Sequence, residues 1–217
     1  MSNKVVLATG NPGKVLEMQE QLNAFGLNVV PQSQYDLSEA IEDGLSFVEN
    51  ALIKARHACK HTGLPAIADD SGIEVDALNG VPGIYSKRYA NGSAGEGQGD
   101  LANNAKLLKA LTGETNRNAR FQCVIVYMQH ELDPTPIICQ GTWNGEIAKT
   151  SKGENGFGYD PIFFVPEHNC HSAELAPELK KQLSHRAQAL SQLKTQLNTQ
   201  LTNKLKHKLK EPIISNS

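Results

Sequence analysis

Strand-like apolar runs alternate with amphipathic helical patterns through the first third of the chain. Residues 5–8 form the first run. After it, apolar residues recur at the spacing of one helix face, at Val15, Met18, Leu22 and Phe25. A second strand is predicted over residues 28–31. Ser46 and Glu49 then make a capping-box pattern, which predicts a second helix with an apolar face at Val48, Ala51, Leu52, Ala55 and Cys59.

The next stretch, residues 64–75, begins with a strand-like apolar run that leads to the adjacent carboxylates Asp69 and Asp70. We expect a buried strand that delivers them at its carboxyl end, where α/β sheets place ligand chemistry. Neighbouring residues of an extended backbone point to opposite faces, so only one of the two carboxylates points straight into a given site. Gly72 is expected to allow a turn that brings backbone close to a ligand. The alternative is an acidic turn followed by a hairpin.

The second half of the chain predicts further strands and helices. Three runs, at residues 120–127, 137–139 and 143–148, are expected to be strands, the last two returning antiparallel to the first. Residues 91–99 hold four glycines, a composition typical of a mobile loop. Asp100 is then expected to cap a helix with Leu101, Ala105, Leu108 and Leu111 facing inward. A long C-terminal helix has an apolar stripe, interpreted as core, at Leu190, Leu193, Leu197 and Leu201.

Two glycine-containing stretches are candidate binding elements. In residues 9–14, a glycine loop precedes a helix, where free N–H groups and the positive dipole end favour phosphate and Lys14 adds charge. The spacing is not that of a Walker A loop, and Val15 follows the lysine, so a tight turn is the alternative. In residues 153–161, glycines flank Phe157, which suits a stacking platform for a base. Its alternative is a glycine-rich turn with Phe157 in the core.

Composition narrows the classes of protein. The 217 residues contain 21 Lys and Arg against 23 Asp and Glu, for a formal charge of −2, which argues against a general nucleic-acid binder. No run of about eighteen apolar residues is present, so we expect no membrane span. The strand pattern begins at Val5, so we expect no signal peptide. The four cysteines have no paired spacing, and we expect reduced, mostly buried thiols in a cytoplasmic protein.

Six stretches together resemble the inosine triphosphate pyrophosphatase family, also called the Ham1 family. They occur in the family's order and the resemblance covers roughly residues 4–200; the stretches are residues 8–14, 47–51 with Lys54, 68–72, 83–86, 156–161 and 184–186. The resemblance implies an elongated α/β domain with a long mixed sheet and two lobes around a central substrate cleft. It also implies a homodimer that cleaves inosine, deoxyinosine and xanthosine triphosphates to the monophosphate and pyrophosphate, using Mg²⁺, and so cleanses the nucleotide pool.

The same resemblance implies roles for individual residues. Glu42 and Asp70 would bind magnesium, and Asp70 would also accept the proton of the attacking water. Ser71 would contact the nucleotide. The triphosphate would be held by Thr9, Gly10, Asn11, Pro12, Gly13, Lys14 and Lys54. The base pocket would be formed by Phe157, Gly158, Tyr159, Asp160, Lys180, His185 and Arg186.

Some alternatives stay open at the level of sequence. Either Asp69 or Asp70 could be the base, because the pattern supports both. A Maf-like nucleotide pyrophosphatase would share the architecture, although residues 157–160 and 184–186 speak against it. A non-catalytic nucleotide sensor would need the loops but not the carboxylates. We expect one catalytic domain over residues 1–203, followed by a basic, flexible tail over residues 204–217.

Overall fold

Seven strands form one mixed sheet in the computed structural model, which describes residues 4–90 and 98–208, with side chains described up to residue 199. The sheet order is β2-β1-β3-β4-β5-β6-β7. The strands are β1 (Lys4–Leu7), β2 (Asn28–Pro31), β3 (Ala66–Val75), β4 (Asn118–Met128), β5 (Ile137–Ile147), β6 (Phe163–Val165) and β7 (Cys170–His171). β1 runs parallel to both its neighbours, and the other pairs are antiparallel. The predicted mixed α/β sheet is confirmed.

Within the described residues, five α-helices flank this sheet. They are α1 (Pro12–Ala24), α2 (Phe47–Thr62), α3 (Asp100–Ala110), α4 (Pro177–Leu183) and α5 (His185–Lys208). Short 3₁₀ segments lie at Gln32–Gln34, Asp76–Leu78, Gly83–Arg88, Asp160–Ile162, Pro166–His168 and Ser172–Glu174. Within the described residues, no helix combines the length and the apolar character needed to cross a bilayer.

Strand alternation separates the helices onto two faces of the sheet. Ile67 points to the face that α1 and α5 cover, where Met18 and Leu193 are fully buried. Ala66 and Ala68 point to the opposite face, which α2 covers. A further core cluster, which includes Phe121, Trp143 and Phe163, lies around β4, β5 and β6. The cysteines are free, and three of the four are buried, as predicted.

The structure corrects the prediction that β3 ends at the two carboxylates. β3 continues through Asp69 and Asp70 to Val75, because β4 pairs with it along its whole length. The strand that ends at this level is β1, whose pairing with β3 stops at Leu7 and Ile67. Gly72 therefore makes no turn, and the alternative of a hairpin is also wrong. Gly72 is needed because a Cβ there would collide with the Gly83 carbonyl and the Ser86 hydroxyl.

β5 and α3 also differ from the predictions. The runs at 137–139 and 143–148 belong to one continuous strand, within which Gly141 leaves room for the backbone of α5. Asp100 is the first residue of α3 and does not cap it. Leu101 is 86% exposed, and two asparagines and a leucine are buried on the inner face of α3, namely Asn103, Asn104 and Leu107. Toward the C-terminal end of α3 the prediction is confirmed, since Leu111 is buried and Leu108 packs against the core. The first turns differ because polar side chains make structural contacts on that face.

The C-terminal helix is longer than the leucine stripe that predicted it. Leu190, Leu193 and Leu197 are buried in the core that α5 shares with α1. The helix extends to Lys208, which is beyond the predicted domain boundary after residue 203. Residues 209–217 of the predicted tail lie outside the described residues, as do residues 91–97 of the predicted mobile loop.

Truncation after Thr202 is expected to leave both the melting temperature and the activity close to those of the full chain. The last α5 side chain in the described core is Leu197, which the truncated chain keeps. A thermal melt and a steady-state assay on both proteins check this expectation. A large loss of either property would mean that the tail packs on the core or on a partner subunit.

Candidate active site

A cleft lined by charged side chains brings together most of the residues singled out in the sequence. Fifteen of the seventeen are in its wall: Thr9, Gly10, Asn11, Lys14, Glu42, Lys54, Asp70, Ser71, Phe157, Gly158, Tyr159, Asp160, Lys180, His185 and Arg186. Pro12 and Gly13 are not among the wall residues, because they form the first turn of α1 behind Asn11. The cleft lies beside the carboxyl end of β1.

The start of α1 is capped by its own chain, which corrects the expectation of free N–H groups there. The Asn11 side-chain oxygen accepts hydrogen bonds from the Gly13 and Lys14 amides, at 2.9 and 3.3 Å. Pro12 has no amide hydrogen. The charged groups of the cleft are therefore better placed than these amides to attract an anion.

Asp69 lies at the centre of a buried ionic cluster on the α1/α5 face. Its carboxylate is 2.8 Å from Lys14 Nζ and 3.4 Å from an Arg186 nitrogen, and it is fully buried. Burial alone would raise the pKa of Asp69, but Lys14, Arg186 and Lys54 together hold this pKa well below its usual range. Glu17 completes the cluster at 2.7 Å from Arg186. Asp69 is therefore an ionised anchor for cations and is not in the cleft wall.

Asp70 points to the α2 face and into the cleft. Its oxygens lie 3.0 Å from Lys54 Nζ and 3.3 Å from the side-chain nitrogen Nδ2 of Asn50. Burial raises the pKa of Asp70, and Lys54 and Lys14 offset this only in part. A carboxylate with a raised pKa that faces a cleft is suited to accept a proton. The geometry thus favours Asp70 over Asp69 as the base.

Glu42 and Asp70 converge on one cation. Lys54 Nζ is 3.0 Å from an oxygen of each carboxylate, so the two carboxylates already share one positive charge. Burial lowers the pKa of Lys54, but Asp70, Asp69 and Glu42 raise it overall. In the part of the chain that the structure describes, no group of three or more His, Cys, Asp or Glu side chains is arranged to hold a metal. Two carboxylates fit Mg²⁺, which keeps several waters and also binds substrate phosphates.

At the other end of the cleft, Phe157 presents a partly exposed ring, so it is not in the core. The Lys180 ammonium lies 5.5 Å and the Arg186 guanidinium carbon 5.9 Å from the ring centroid. The ring also contacts the α1 start, since a Cβ on Gly13 would lie 3.3 Å from it. Asp160 accepts hydrogen bonds from the Phe157 amide, the Ser172 hydroxyl and the Lys180 ammonium, and it is itself nearly buried.

His185 and Arg186 begin α5 beside this aromatic ring. The His185 ring stacks on Phe121, with centroids 4.8 Å apart. Burial lowers its pKa well below the usual value, and the positive charges of Arg186, Lys180 and Lys14 lower it further, so the ring is neutral near pH 7. Arg186 donates to Glu17 at 2.7 Å and to the Ser71 hydroxyl at 3.0 Å. Two buried ring and guanidinium nitrogens, His185 Nδ1 and Arg186 Nε, have no hydrogen-bond partner among the described residues.

Several contributing residues were missed by the sequence analysis. Asn50 contacts Asp70 from one turn before Lys54, and Glu17 contacts Arg186 from one turn after Lys14. Both could have been found by asking which polar residues share a helix face with a candidate lysine. Lys87, Arg88 and Asp100 also line the cleft, but no local pattern indicated this, because they reach it through tertiary packing.

The cleft and sheet define a protein of the α/β class with a cleft lined by charged side chains at the end of a parallel strand. The chain belongs to the Ham1 family, whose model matches residues 5–196. It is 62% identical over 189 residues to a protein from Vibrio parahaemolyticus named dITP/XTP pyrophosphatase, covering 86% of this chain and 92% of that one. A protein of the same name from Shewanella oneidensis is 55% identical, with 86% and 90% covered.

Solved structures agree with this membership. A HAM1 protein from Coxiella burnetii superposes with a TM-score of 0.83 at 49% identity, covering 90% of this chain and 98% of that chain. The Staphylococcus aureus Ham1 protein gives a TM-score of 0.80 at 42% identity, with 91% and 99% covered. The fold and the family that the sequence resembles are therefore confirmed.

Asp70→Asn is expected to lower kcat about a hundredfold or more with little change in melting temperature, because it removes a proton acceptor from the cleft wall. The matched change Asp69→Asn is expected to act mainly on stability, at a cost of about 3 kcal/mol, since it leaves buried cations uncompensated. Steady-state kinetics and thermal melts on both variants measure the difference. A nearly silent Asp70→Asn beside a kinetically severe Asp69→Asn would reverse the two roles.

Proposed function

We propose that this protein hydrolyses the triphosphates of non-canonical purines, namely ITP, dITP and XTP, to the monophosphate and pyrophosphate. It thereby removes deaminated purine nucleotides from the nucleotide pool. Support comes from the relatives named dITP/XTP pyrophosphatase and from a cleft whose two ends differ in chemistry. One end holds lysines and a carboxylate of raised pKa, and the other holds an exposed aromatic ring beside a neutral histidine and an arginine.

The lysine end suits a triphosphate. Lys14 and Lys54 both line the cleft, each held by one of the adjacent aspartates at 2.8 and 3.0 Å. These ion pairs fix the ammonium groups in place while leaving them donors for a second anion, because an ammonium has three hydrogens. Thr9, Gly10 and Asn11 supply polar groups on the same wall. The near-neutral total charge does not oppose this role, since the positive potential need only be local.

Asp70 is the proton acceptor of the proposed reaction, and it orients the water that attacks phosphorus. Glu42 and Asp70 would together hold Mg²⁺, because their oxygens already converge on the Lys54 ammonium group. The metal, when bound, neutralises charge on the triphosphate oxygens. Lys54 lies between the two carboxylates in this structure and would donate to the phosphates when the carboxylates bind the metal.

The aromatic end suits recognition of a purine. Phe157 offers a ring face for stacking, and stacking tolerates any base. Hypoxanthine and xanthine have a 6-oxo acceptor where adenine has an amino donor. Arg186 always carries donors, and a neutral His185 offers one, so both can favour the oxo group. Because Arg186 also donates to Glu17 and Ser71, only the N–H groups outside these two hydrogen bonds are left for the base.

Two further proposals rest on the family resemblance, namely that the protein acts as a homodimer and works in the cytoplasm. Light scattering at micromolar concentration, with a mass of about twice the 23.6 kDa of one chain, tests the dimer. A monomeric mass that persists at assay concentrations with full activity would contradict it. Fractionation of cells that express the tagged chain tests the compartment.

Pyrophosphate release from ITP, dITP and XTP is the decisive test, with ATP, GTP and a pyrimidine triphosphate as comparisons. We expect rapid release from the first three with Mg²⁺ and loss of activity when EDTA removes the metal. Release of orthophosphate would contradict the proposed reaction. A preference for pyrimidine or modified nucleotides would indicate a Maf-like specificity. Tight binding without turnover would indicate a sensor.

Arg186→Ala is expected to narrow the ratio of kcat/KM for ITP over ATP, because polar matching can discriminate by about 10⁴ whereas apolar shape gives about 10². Phe157→Ala is expected to lower both values together, since stacking does not distinguish the bases. Arg186→Lys keeps a positive charge beside Asp69 and so controls for the loss of the buried cluster. Equal losses of kcat/KM for ITP and ATP in a folded Arg186→Ala variant would indicate that this arginine contributes to phosphate binding or to folding and not to base selection.

A further inference from the structure

The loop that carries Phe157 has little intrinsic preference for one conformation. Gly156 and Gly158 flank the phenylalanine at φ of 82° and 65°, values that only glycine adopts without strain. Glycine backbones also lose the most conformational entropy on ordering, so outside contacts must fix the direction of the ring. Asp160 supplies one such contact by accepting from the Phe157 amide at 2.8 Å.

Helix α3 supplies the others through two residues one turn apart. The Asp100 carboxylate accepts a hydrogen bond from the Gly158 amide at 2.6 Å, and the Asn104 side chain donates to the Gly158 carbonyl at 3.0 Å. Both polar groups of this single glycine are therefore held from the same helix. The spacing is the i, i+4 relation that places two side chains on one helix face.

The same face of α3 also holds a second segment of the cleft wall. The Asn103 side chain accepts from the Ala90 amide at 2.7 Å and donates to the Lys87 carbonyl at 3.1 Å. Lys87 is itself a wall residue. This accounts for the asparagines on the inner face of α3, where the sequence pattern predicted apolar packing. The helix connects two wall segments that are distant in sequence and sets the distance between them.

We propose that Asp100 and Asn104 are positioning residues that hold the Phe157 ring at the base end of the cleft. Neither needs to touch the nucleotide, because they act on the backbone of Gly158, one residue after the ring. Held in this way, the ring lies against the α1 start at Gly13 and faces the cations of Lys180 and Arg186. The assignment rests on the proposed function in one respect, namely that Phe157 contacts the base.

Hydrogen exchange in the nucleotide-free protein tests the structural half of this proposal. Asp100→Ala is expected to speed amide exchange in a peptide that spans residues 154–160. Asp100→Asn, which retains a carbonyl acceptor for the Gly158 amide, is expected to restore most of the protection. Leu101→Ala is the matched control, because Leu101 is the exposed next residue of the same helix. Asn104→Ala removes the second contact to the same glycine and gives an independent measurement.

Steady-state kinetics with ITP test the functional half. Asp100→Ala and Asn104→Ala are expected to raise KM about fivefold to tenfold with kcat changed less than twofold, since a loose ring weakens binding of substrate and transition state alike. Asp100→Asn and Leu101→Ala are expected to keep the KM of the unaltered protein. If both alanine variants show unaltered exchange and unaltered KM while folded, the proposal is wrong. If the unaltered protein releases no pyrophosphate from ITP, the proposed function fails, whereas the exchange experiment still decides whether α3 orders the loop.

Discussion

The alternation of side chains along β3 is the constraint on which the active site depends. Asp69 and Asp70 are neighbours in sequence, but each meets cations from a different helix layer. Asp69 is fully buried and would be very costly as an isolated charge, so Lys14 and Arg186 must be close by. That requirement fixes α1 and α5 relative to the sheet. Asp70 remains at the cleft, where Lys54 and Asn50 are its close partners.

One buried carboxylate thereby links the two ends of the cleft. Lys14 belongs to the proposed phosphate end and Arg186 to the proposed base end, yet both contact Asp69. A change to any one of these three side chains alters the electrostatic environment of the other two, because a charge removed from a buried cluster leaves its partners uncompensated. Kinetic effects of substitutions in this cluster are therefore not expected to be additive.

Much of the architecture could be predicted from local pattern. Local pattern predicted β2, the α2 capping box and the leucine stripe of α5, because each depends on residues close in sequence. The membership of Asp70, Lys54 and Arg186 in one cleft followed from family resemblance and not from periodicity. The failures share a physical cause. The length of β3 depends on its pairing with β4, and the polar inner face of α3 depends on loops distant in the chain.

The close approach of α5 to β5 has a consequence for how such a site can change. At Gly141 a Cβ would collide with the His185 carbonyl, so the backbone of the helix start rests directly on the strand. The His185 and Arg186 side chains thus project from a helix start that cannot move closer to β5. If the proposed base pocket is right, its preference changes by exchange of side chains and not by moving this helix start further toward the strand.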